Sequence, residues 1–131
     1  MGLCQRKVED KVMGDLTANF SRDEFYCPCG CGLFNMDMVF IKILQDVRTD
    51  IGKRVDITSG SRCVERNRDV GGGDNSTHLY GTAVDIYVMG NQYRYTLVQS
   101  LYKHGVTRVY IYRGHVHADI KPVDTPVLGW G

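Results

Sequence analysis

Apolar residues at steps of three and four predict one clear helix, over Met36–Ile51, with Asn35 as its N-cap and Gly52 as its end. Such spacing places the apolar side chains on one face of a helix. The members of this stripe are Met36, Phe40, Ile43, Leu44, Val47 and Ile51. The segment is therefore interpreted as scaffold that packs against a core.

Alternating polar and apolar residues predict short strands in the rest of the chain. They cover Val55–Thr58, Thr82–Val88, Thr107–Tyr112 and His115–Ile120. The last two flank Arg113-Gly114, which predicts a tight antiparallel hairpin. A second helix is predicted over Tyr93–His104. Helices interspersed with antiparallel strands indicate an α+β domain.

Segments without either pattern are expected to be irregular. Residues 1–19 carry many charges and are expected to form a loosely ordered N-terminal lead-in to a domain over residues 20–131. The polar stretch Glu65–Asn75 contains Gly71-Gly72-Gly73, which predicts a mobile or tightly turned loop. The tail from Pro122 is expected to lack regular structure. A length of 131 residues fits one domain.

Composition excludes several classes of function. The net charge of +1 gives no global reason to expect nucleic-acid binding, which requires a clustered basic face. No run of ~18 apolar residues is present, so no membrane span is expected. Residues 1–15 lack the apolar core of a secretory signal. A monomer is expected, which stays in the cytoplasm or leaves it by a route that needs no cleaved leader.

Polar residues on the last predicted strand indicate a metal site. Alternation places His115, His117 and Asp119 on one face. Buried polar groups without partners cost roughly 1–3 kcal/mol each, so something must satisfy them. If the strand pairs with Thr82–Val88, Asp85 faces His117, and His78 precedes it in a turn. Two imidazoles and one carboxylate are a catalytic zinc set. We therefore predict that this trio binds one Zn²⁺ and leaves a position open for water.

Four further residues are interpreted from their positions. His115 is expected to transfer a proton or to hold developing charge, and support of a ligand is the alternative. Arg62 is expected to bind a substrate carboxylate or carbonyl oxygen, and a surface salt bridge is the alternative. Asp119 is expected to belong to the strand or to support a ligand. His104, at a helix end, is expected to be an ordinary core or surface residue.

The cysteines leave three interpretations open. Their number is odd and three are crowded, which fits a secreted disulfide framework poorly. They are Cys4, Cys27, Cys29, Cys31 and Cys63. The last four could hold a second, structural zinc ion. They could also form a disulfide, such as one between the crowded set and Cys63, or remain reduced packing residues.

Two motifs carry a family resemblance. Ser76-x-His78-x-x-Gly81-x-Ala83-x-Asp85, followed by His115-x-His117, resembles the zinc D-Ala-D-Ala carboxypeptidase family, peptidase family M15. It is most similar to the compact branch common in bacteriophages and prophages. The segment 58–62 resembles that family's "TSGYR" motif, and the segment 25–32 resembles an N-terminal cysteine motif of the small branch. The similarity covers roughly Phe20–Ile120.

The resemblance implies a small single domain of the hedgehog/DD-peptidase type, with helices against an antiparallel sheet. It implies hydrolysis of peptidoglycan stem peptides by a D,D-carboxypeptidase or an endopeptidase, such as a phage lysis enzyme (endolysin) or a virion tail activity. It also implies zinc ligands at His78, Asp85 and His117. Arg62 and Ser76 would bind substrate, and His115 would be an additional active-site histidine.

One departure and one alternative follow from the resemblance. Some relatives carry a glutamate base three residues before the last histidine ligand, where this chain has Gly114. His115 is therefore the candidate base. The alternative function is a non-catalytic, zinc-stabilised phage structural or wall-binding module. Arg62 and His115 favour the enzyme, because a purely structural zinc needs neither and usually takes four protein ligands.

Overall fold

A five-stranded mixed sheet with helices packed on it is the main feature of the computed structural model, which describes residues 14–131. The α-helices and strands of these residues, in chain order, are α1 (Met38–Ile51), β1 (Ile57–Ser59), α2 (Val64–Asp69), β2 (Ala83–Tyr87), α3 (Asn91–Lys103), β3 (Arg108–Ile111), β4 (His115–Asp119) and β5 (Val127–Trp130). The strand order is β1-β2-β4-β3-β5. The predicted α+β class is confirmed.

The last strand corrects the expectation of an irregular tail. β5 runs parallel to β3, with Val109 opposite Leu128, so the sheet is mixed rather than wholly antiparallel. The Tyr102 hydroxyl donates a hydrogen bond to the carbonyl of Val127. At Gly129 a Cβ would lie 2.8 Å from the Tyr110 ring, so the glycine lets the two strands approach. A four-residue strand interrupted by glycine gives little alternation to detect.

Helix α1 begins two residues later than predicted. Asp37, not Asn35, is the N-cap, because its carboxylate accepts a hydrogen bond from the Val39 N–H at 2.7 Å. The Asn35 side chain instead donates to the Leu79 carbonyl at 2.9 Å. Gly52 ends the helix as predicted, with a left-handed φ of 67°. The fully buried residues of the helix are Phe40, Ile41, Leu44 and Val47.

The prediction of a loop over Glu65–Asn75 is wrong for the first half of this segment. Helix α2 occupies Val64–Asp69, and the Cys63 sulfur accepts a hydrogen bond from the Arg66 N–H at 3.3 Å at its start. The glycines that follow form a tight turn. The Asn67 amide donates to the Gly73 carbonyl at 2.9 Å, and the Gly72 N–H donates to the Asn67 carbonyl at 2.8 Å.

The core lies between the sheet and helices α1 and α3. One face of β2 and β4 contributes the fully buried residues Val84, Ile86, Val116 and Ala118. Asp85 and His117 alternate with these residues along their strands, so their side chains lie on the other face of the sheet. The predicted pairing of these two residues across β2 and β4 is confirmed.

The end of the predicted lead-in contacts helix α1. The Thr17 hydroxyl and the Asn19 N–H both donate to the Gln45 side-chain oxygen, at 2.7 and 2.8 Å. Residues 1–13, including Cys4, lie outside the described residues. None of the described helices has the length and apolarity required to cross a membrane.

Asp50 links α1 to α3 through a polar cluster. Its carboxylate accepts a hydrogen bond from the Ser100 hydroxyl at 2.7 Å, lies 3.3 Å from His104 Nε2, and lies 3.6 Å from Lys103 Nζ. The Ser100 hydrogen bond lowers the pKa of Asp50; burial opposes this, and His104 and Lys103 add to the lowering. The folded state therefore favours the ionised carboxylate.

Asp50→Asn is expected to lower the melting temperature at about pH 5 and to have a much smaller effect near pH 2. Because the folded-state pKa is depressed, this stabilisation is present above the unfolded-state pKa and is lost as the pH falls through the folded-state pKa. Thermal melts of both proteins across this range measure the difference. Asp46→Asn, which removes an exposed partner of Lys42, is the control and is expected to have little effect. A difference independent of pH would contradict the prediction.

Candidate metal centre

The structure brings the three predicted metal ligands together. His78 lies on a short 3₁₀ helix, Thr77–Tyr80, that leads into β2. Its Nε2 is 3.3 Å from Asp85 Oδ1, and His117 Nδ1 is 3.4 Å from the same oxygen. The three ligand atoms all lie within 4.8 Å of one another. An ion between them would replace these contacts with coordination bonds.

A backbone carbonyl orients the first histidine. His78 Nδ1 lies 2.9 Å from the Gly60 carbonyl oxygen. A carbonyl accepts only, so this nitrogen must carry the proton, and the lone pair of Nε2 points towards Asp85. Gly60 itself lies against Phe25, because a Cβ there would meet Phe25 Cα and Cδ1 at 3.0 Å. The local packing thus fixes the imidazole in the tautomer that binds metals.

A buried carboxylate orients the second histidine. Asp119 Oδ2 lies 2.6 Å from His117 Nε2, which leaves Nδ1 facing Asp85. Asp119 is completely buried and accepts two hydrogen bonds from the Arg108 guanidinium, at 2.7 and 2.9 Å, and one from Thr77. The support predicted for Asp119 is therefore observed as a direct contact behind His117. Arg108 was not identified from the sequence.

In the absence of a metal ion, the electrostatics of the site favour the charged forms of Asp85 and His117. Burial acts to raise the pKa of Asp85, but its contacts with His117 and His78 outweigh this effect and hold that pKa well below its usual range. Burial acts to lower the pKa of His117, but hydrogen bonds with Asp119 and Asp85 raise it above its usual value. A metal ion would displace the proton that His117 holds. One carboxylate and two oriented imidazoles fit Zn²⁺.

A cleft of about 340 Å³ opens over these residues. Arg62 Nη2 lies 3.8 Å from Asp85 Oδ2, and its Nη1 donates to Asn67 Oδ1 at 3.1 Å. His115 also lines the cleft, where its ring stacks on Tyr112 with centroids 4.4 Å apart. Asn67 lies in a polar stretch without periodicity, so no pattern in the sequence indicates its role.

Three other positions singled out from the sequence also have a defined place in the structure. Ser76 lines the cleft, and its hydroxyl accepts a hydrogen bond from the His78 N–H at 3.3 Å. His104 belongs to the Asp50 cluster and not to the residues that line the cleft. Gly114 lies in the β3–β4 turn, where its carbonyl accepts from Val88, and it brings no carboxylate to the site.

The four cysteines of residues 27–63 form a second cluster. Their sulfur atoms lie within 4.8 Å of one another, and all four thiols are free. The structure therefore does not contain the disulfide that was one of the three interpretations. Cys27 is buried, whereas Cys29 and Cys31 are exposed.

Gly81 fixes the spacing between His78 and Asp85. It has a φ of +73°, and a Cβ there would lie 1.9 Å from the Asn35 carbonyl oxygen. Gly81→Ala is expected to destabilise the fold by about 1–3 kcal/mol through backbone strain alone, and to weaken zinc binding. Thermal melts and zinc titration of both proteins measure these effects. Gly73→Ala is the control, because that glycine has open space and no positive φ. Equal losses in the two variants would contradict the prediction.

The fold and the donor set together define a class: small α+β proteins in which two histidines and one carboxylate converge as a candidate metal centre. Residues 18–119 match the family model described as Peptidase M15, and the chain belongs to the peptidase M15 family. Over 67 residues it is 39% identical to the zinc D-Ala-D-Ala carboxypeptidase of Streptomyces albus G. That alignment covers 50% of this chain and 26% of that protein, so it spans about a quarter of the relative's length. The family resemblance is confirmed.

Proposed function

We propose that this protein is a zinc-dependent peptidase that hydrolyses peptide bonds of bacterial peptidoglycan, as a D,D-carboxypeptidase or a stem-peptide endopeptidase. The observation that carries the proposal is the trio of His78 Nε2, Asp85 Oδ1 and His117 Nδ1 at the base of an open cleft. Membership of the peptidase M15 family and the likeness to a zinc D-Ala-D-Ala carboxypeptidase support the substrate class.

The ligand trio supplies three protein donors, as catalytic zinc sites do, and not the four of a structural site. A zinc ion held there would supply Lewis-acid activation of water and of the scissile carbonyl. His78 and His117 each have the second ring nitrogen engaged, by Gly60 and Asp119 respectively. Their rings therefore need little reorganisation to bind the ion, which favours tight and specific coordination.

Arg62 is proposed to bind the substrate. Its guanidinium lines both the cleft over the trio and an adjoining cleft of about 410 Å³, which Arg66 also lines. Two arginines beside the site favour a peptide that carries carboxylates, as stem peptides do. Ser76 lines the same cleft and is proposed to contact the peptide through its hydroxyl.

His115 is proposed to move the proton. It is the remaining imidazole in the cleft, and its stacking on Tyr112 fixes the plane of the ring without using a ring nitrogen. Imidazole is the side chain that most often transfers protons in enzymes. A position beside the scissile bond suits it to accept a proton from the attacking water and to pass it to the leaving amine.

The test is digestion of purified peptidoglycan by the zinc-loaded full chain, followed by mass analysis of the soluble fragments. Release of D-alanine would identify a carboxypeptidase, and new amino termini within stems or cross-bridges would identify an endopeptidase. A synthetic stem peptide and its C-terminal amide form a matched pair, because a carboxypeptidase that uses Arg62 requires the free carboxylate.

Absence of any cleavage, with the protein still bound to sedimented peptidoglycan, would overturn the enzymatic proposal. That result would identify the alternative, a non-catalytic zinc-stabilised wall-binding module. A biological setting in phage lysis or at a phage tail is part of the proposal. It predicts that the protein, added from outside, clears suspensions of bacteria whose outer barrier has been removed.

A further inference from the structure

Four cysteines from two distant segments meet beside the peptidase cleft. Cys27, Cys29 and Cys31 alternate along one turn, and Cys63 precedes helix α2. The Cys29 sulfur lies 3.5 Å from that of Cys27 and 3.6 Å from that of Cys63. All four sulfurs lie within 4.8 Å of one another. No residue of this cluster is required by the proposed peptidase chemistry.

These separations are close to those of a tetrahedral metal site. Zinc–sulfur bonds of about 2.3 Å in a tetrahedron place the sulfurs about 3.8 Å apart. A disulfide requires sulfurs about 2.05 Å apart, so the observed contacts of 3.5 and 3.6 Å exceed that length by well over 1 Å. The cluster is thus spaced for four sulfurs around one ion.

The backbone around the cluster is arranged as in a thiolate site. The Cys63 N–H donates to the Cys27 sulfur at 3.4 Å, and the Arg66 N–H donates to the Cys63 sulfur at 3.3 Å. Such hydrogen bonds stabilise the ligand sulfurs of metal sites. Gly30 and Gly32 have φ values of 88° and 84°, which turn the chain so that three alternate side chains converge.

We propose that Cys27, Cys29, Cys31 and Cys63 bind a second zinc ion, which is structural and takes no direct part in the proposed hydrolysis. Binding would convert the four thiols to thiolates and release their protons to solvent. Four protein ligands fill a tetrahedral zinc ion and leave no position for water, as in structural sites. Cys29 and Cys31 are exposed, which gives the ion a path of entry.

The proposed ion would tie the cysteine turn to the segment that carries Arg62. The segment is already hydrogen-bonded to the residues that precede the cysteine turn, because the Ser61 N–H donates to the Phe25 carbonyl at 2.9 Å. Cys63 follows Arg62 directly, so a metal bond at its sulfur would restrain the arginine backbone from the other side. The second ion would therefore position Arg62 at the cleft.

Zinc content of the purified full chain tests the proposal. We expect two equivalents of zinc per chain in the parent protein and one in Cys29→Ser. Cys29→His keeps a ligand at that position and is expected to keep two equivalents. Cys4→Ser, which leaves all four cysteines of the cluster in place, is the control and is expected to keep two. His117→Ala is expected to lose the other equivalent, which distinguishes the two sites.

Replacement of zinc by cobalt gives a second readout that needs no cysteine variant. The parent protein and His117→Ala are both expected to show the near-ultraviolet charge-transfer band of thiolate bound to tetrahedral cobalt. If Cys29→Ser fails to fold, the cobalt spectra of these two proteins still test whether the cysteines bind the metal. Absence of the band, full retention of two zinc equivalents in Cys29→Ser, or a mass showing a disulfide within the cluster would overturn the proposal.

Discussion

His117→Ala is expected to reduce peptidoglycan hydrolysis by about 10³-fold or more. His117 contributes one of three proposed metal ligands, and without it two donors remain, which is fewer than catalytic zinc sites use. Metal activation contributes several kcal/mol of transition-state stabilisation, and each ~1.4 kcal/mol is tenfold in rate. Turnover of a synthetic stem peptide at saturating zinc, with zinc content measured alongside, tests this result.

Two measurements make the result specific to the metal site. His104→Ala removes an imidazole that contacts Asp50, away from the cleft, and is expected to keep turnover within about twofold. Circular dichroism of His117→Ala should still show the folded state, because Asp119 retains its two hydrogen bonds to Arg108. If folded His117→Ala turned over substrate at the parental rate, the assignment of His117 as a ligand would be wrong.

Asp119→Ala is expected to destabilise the fold by about 3–5 kcal/mol, because it breaks a buried ion pair from one side. Asp119 is completely buried, and its removal leaves the Arg108 guanidinium, 19% exposed, without its carboxylate. The same change frees His117 Nε2, so zinc affinity is expected to fall by about 10–100-fold. Chemical denaturation and competitive zinc titration measure the two effects.

An exposed pair provides the matched control for that variant. Asp56 contacts Arg54 at 3.0 Å, but both side chains are at least one-third exposed. Asp56→Ala is therefore expected to cost less than about 1 kcal/mol and to leave zinc affinity unchanged. In Asp119→Asn, the amide oxygen can still accept from Arg108, so part of the stability should return. Equal destabilisation by Asp119→Ala and Asp56→Ala would contradict the prediction.

The alternation of side chains along two strands was enough to predict two of the three proposed metal ligands. Alternation on β2 and β4 assigned Asp85 and His117 to the same face, and the pairing of these strands places them opposite each other. His78 followed because the Gly81 turn leads directly into β2. These assignments depend on local periodicity and on one strand pairing, and both leave a signal in the sequence.

Elements without periodicity could not be predicted. Helix α2 has six mostly polar residues, and its N-cap is Cys63, a residue type that rarely caps helices, so neither an apolar stripe nor a capping motif marks it. Strand β5 has four residues, and its pairing partner β3 lies about twenty residues earlier. The N-cap of α1 was misassigned because Asn35 and Asp37 are both good caps, and a contact with Leu79 engages the first of them.

Arg108 and Asn67, which support the site, were also not identified from the sequence. Arg108 and Asp119 face each other across the β3–β4 hairpin, which the sequence predicted, so opposite charges at facing positions were the available signal. Asn67 had no such signal. It contacts both Arg62 and the glycine turn through its side chain, and this depends on the position of α2 relative to the sheet.

The order of β2 and β4 in the sheet also bears on how the protein would acquire its metal. The trio comes from residues separated by up to 39 positions, and the closure of that long loop precedes any ligand geometry. An unfolded chain therefore offers no preformed site, so binding free energy would be coupled to folding. Zinc uptake during refolding from the unfolded chain, followed by stopped flow, would then report the slow, long-range pairing of the sheet rather than the earlier formation of helices.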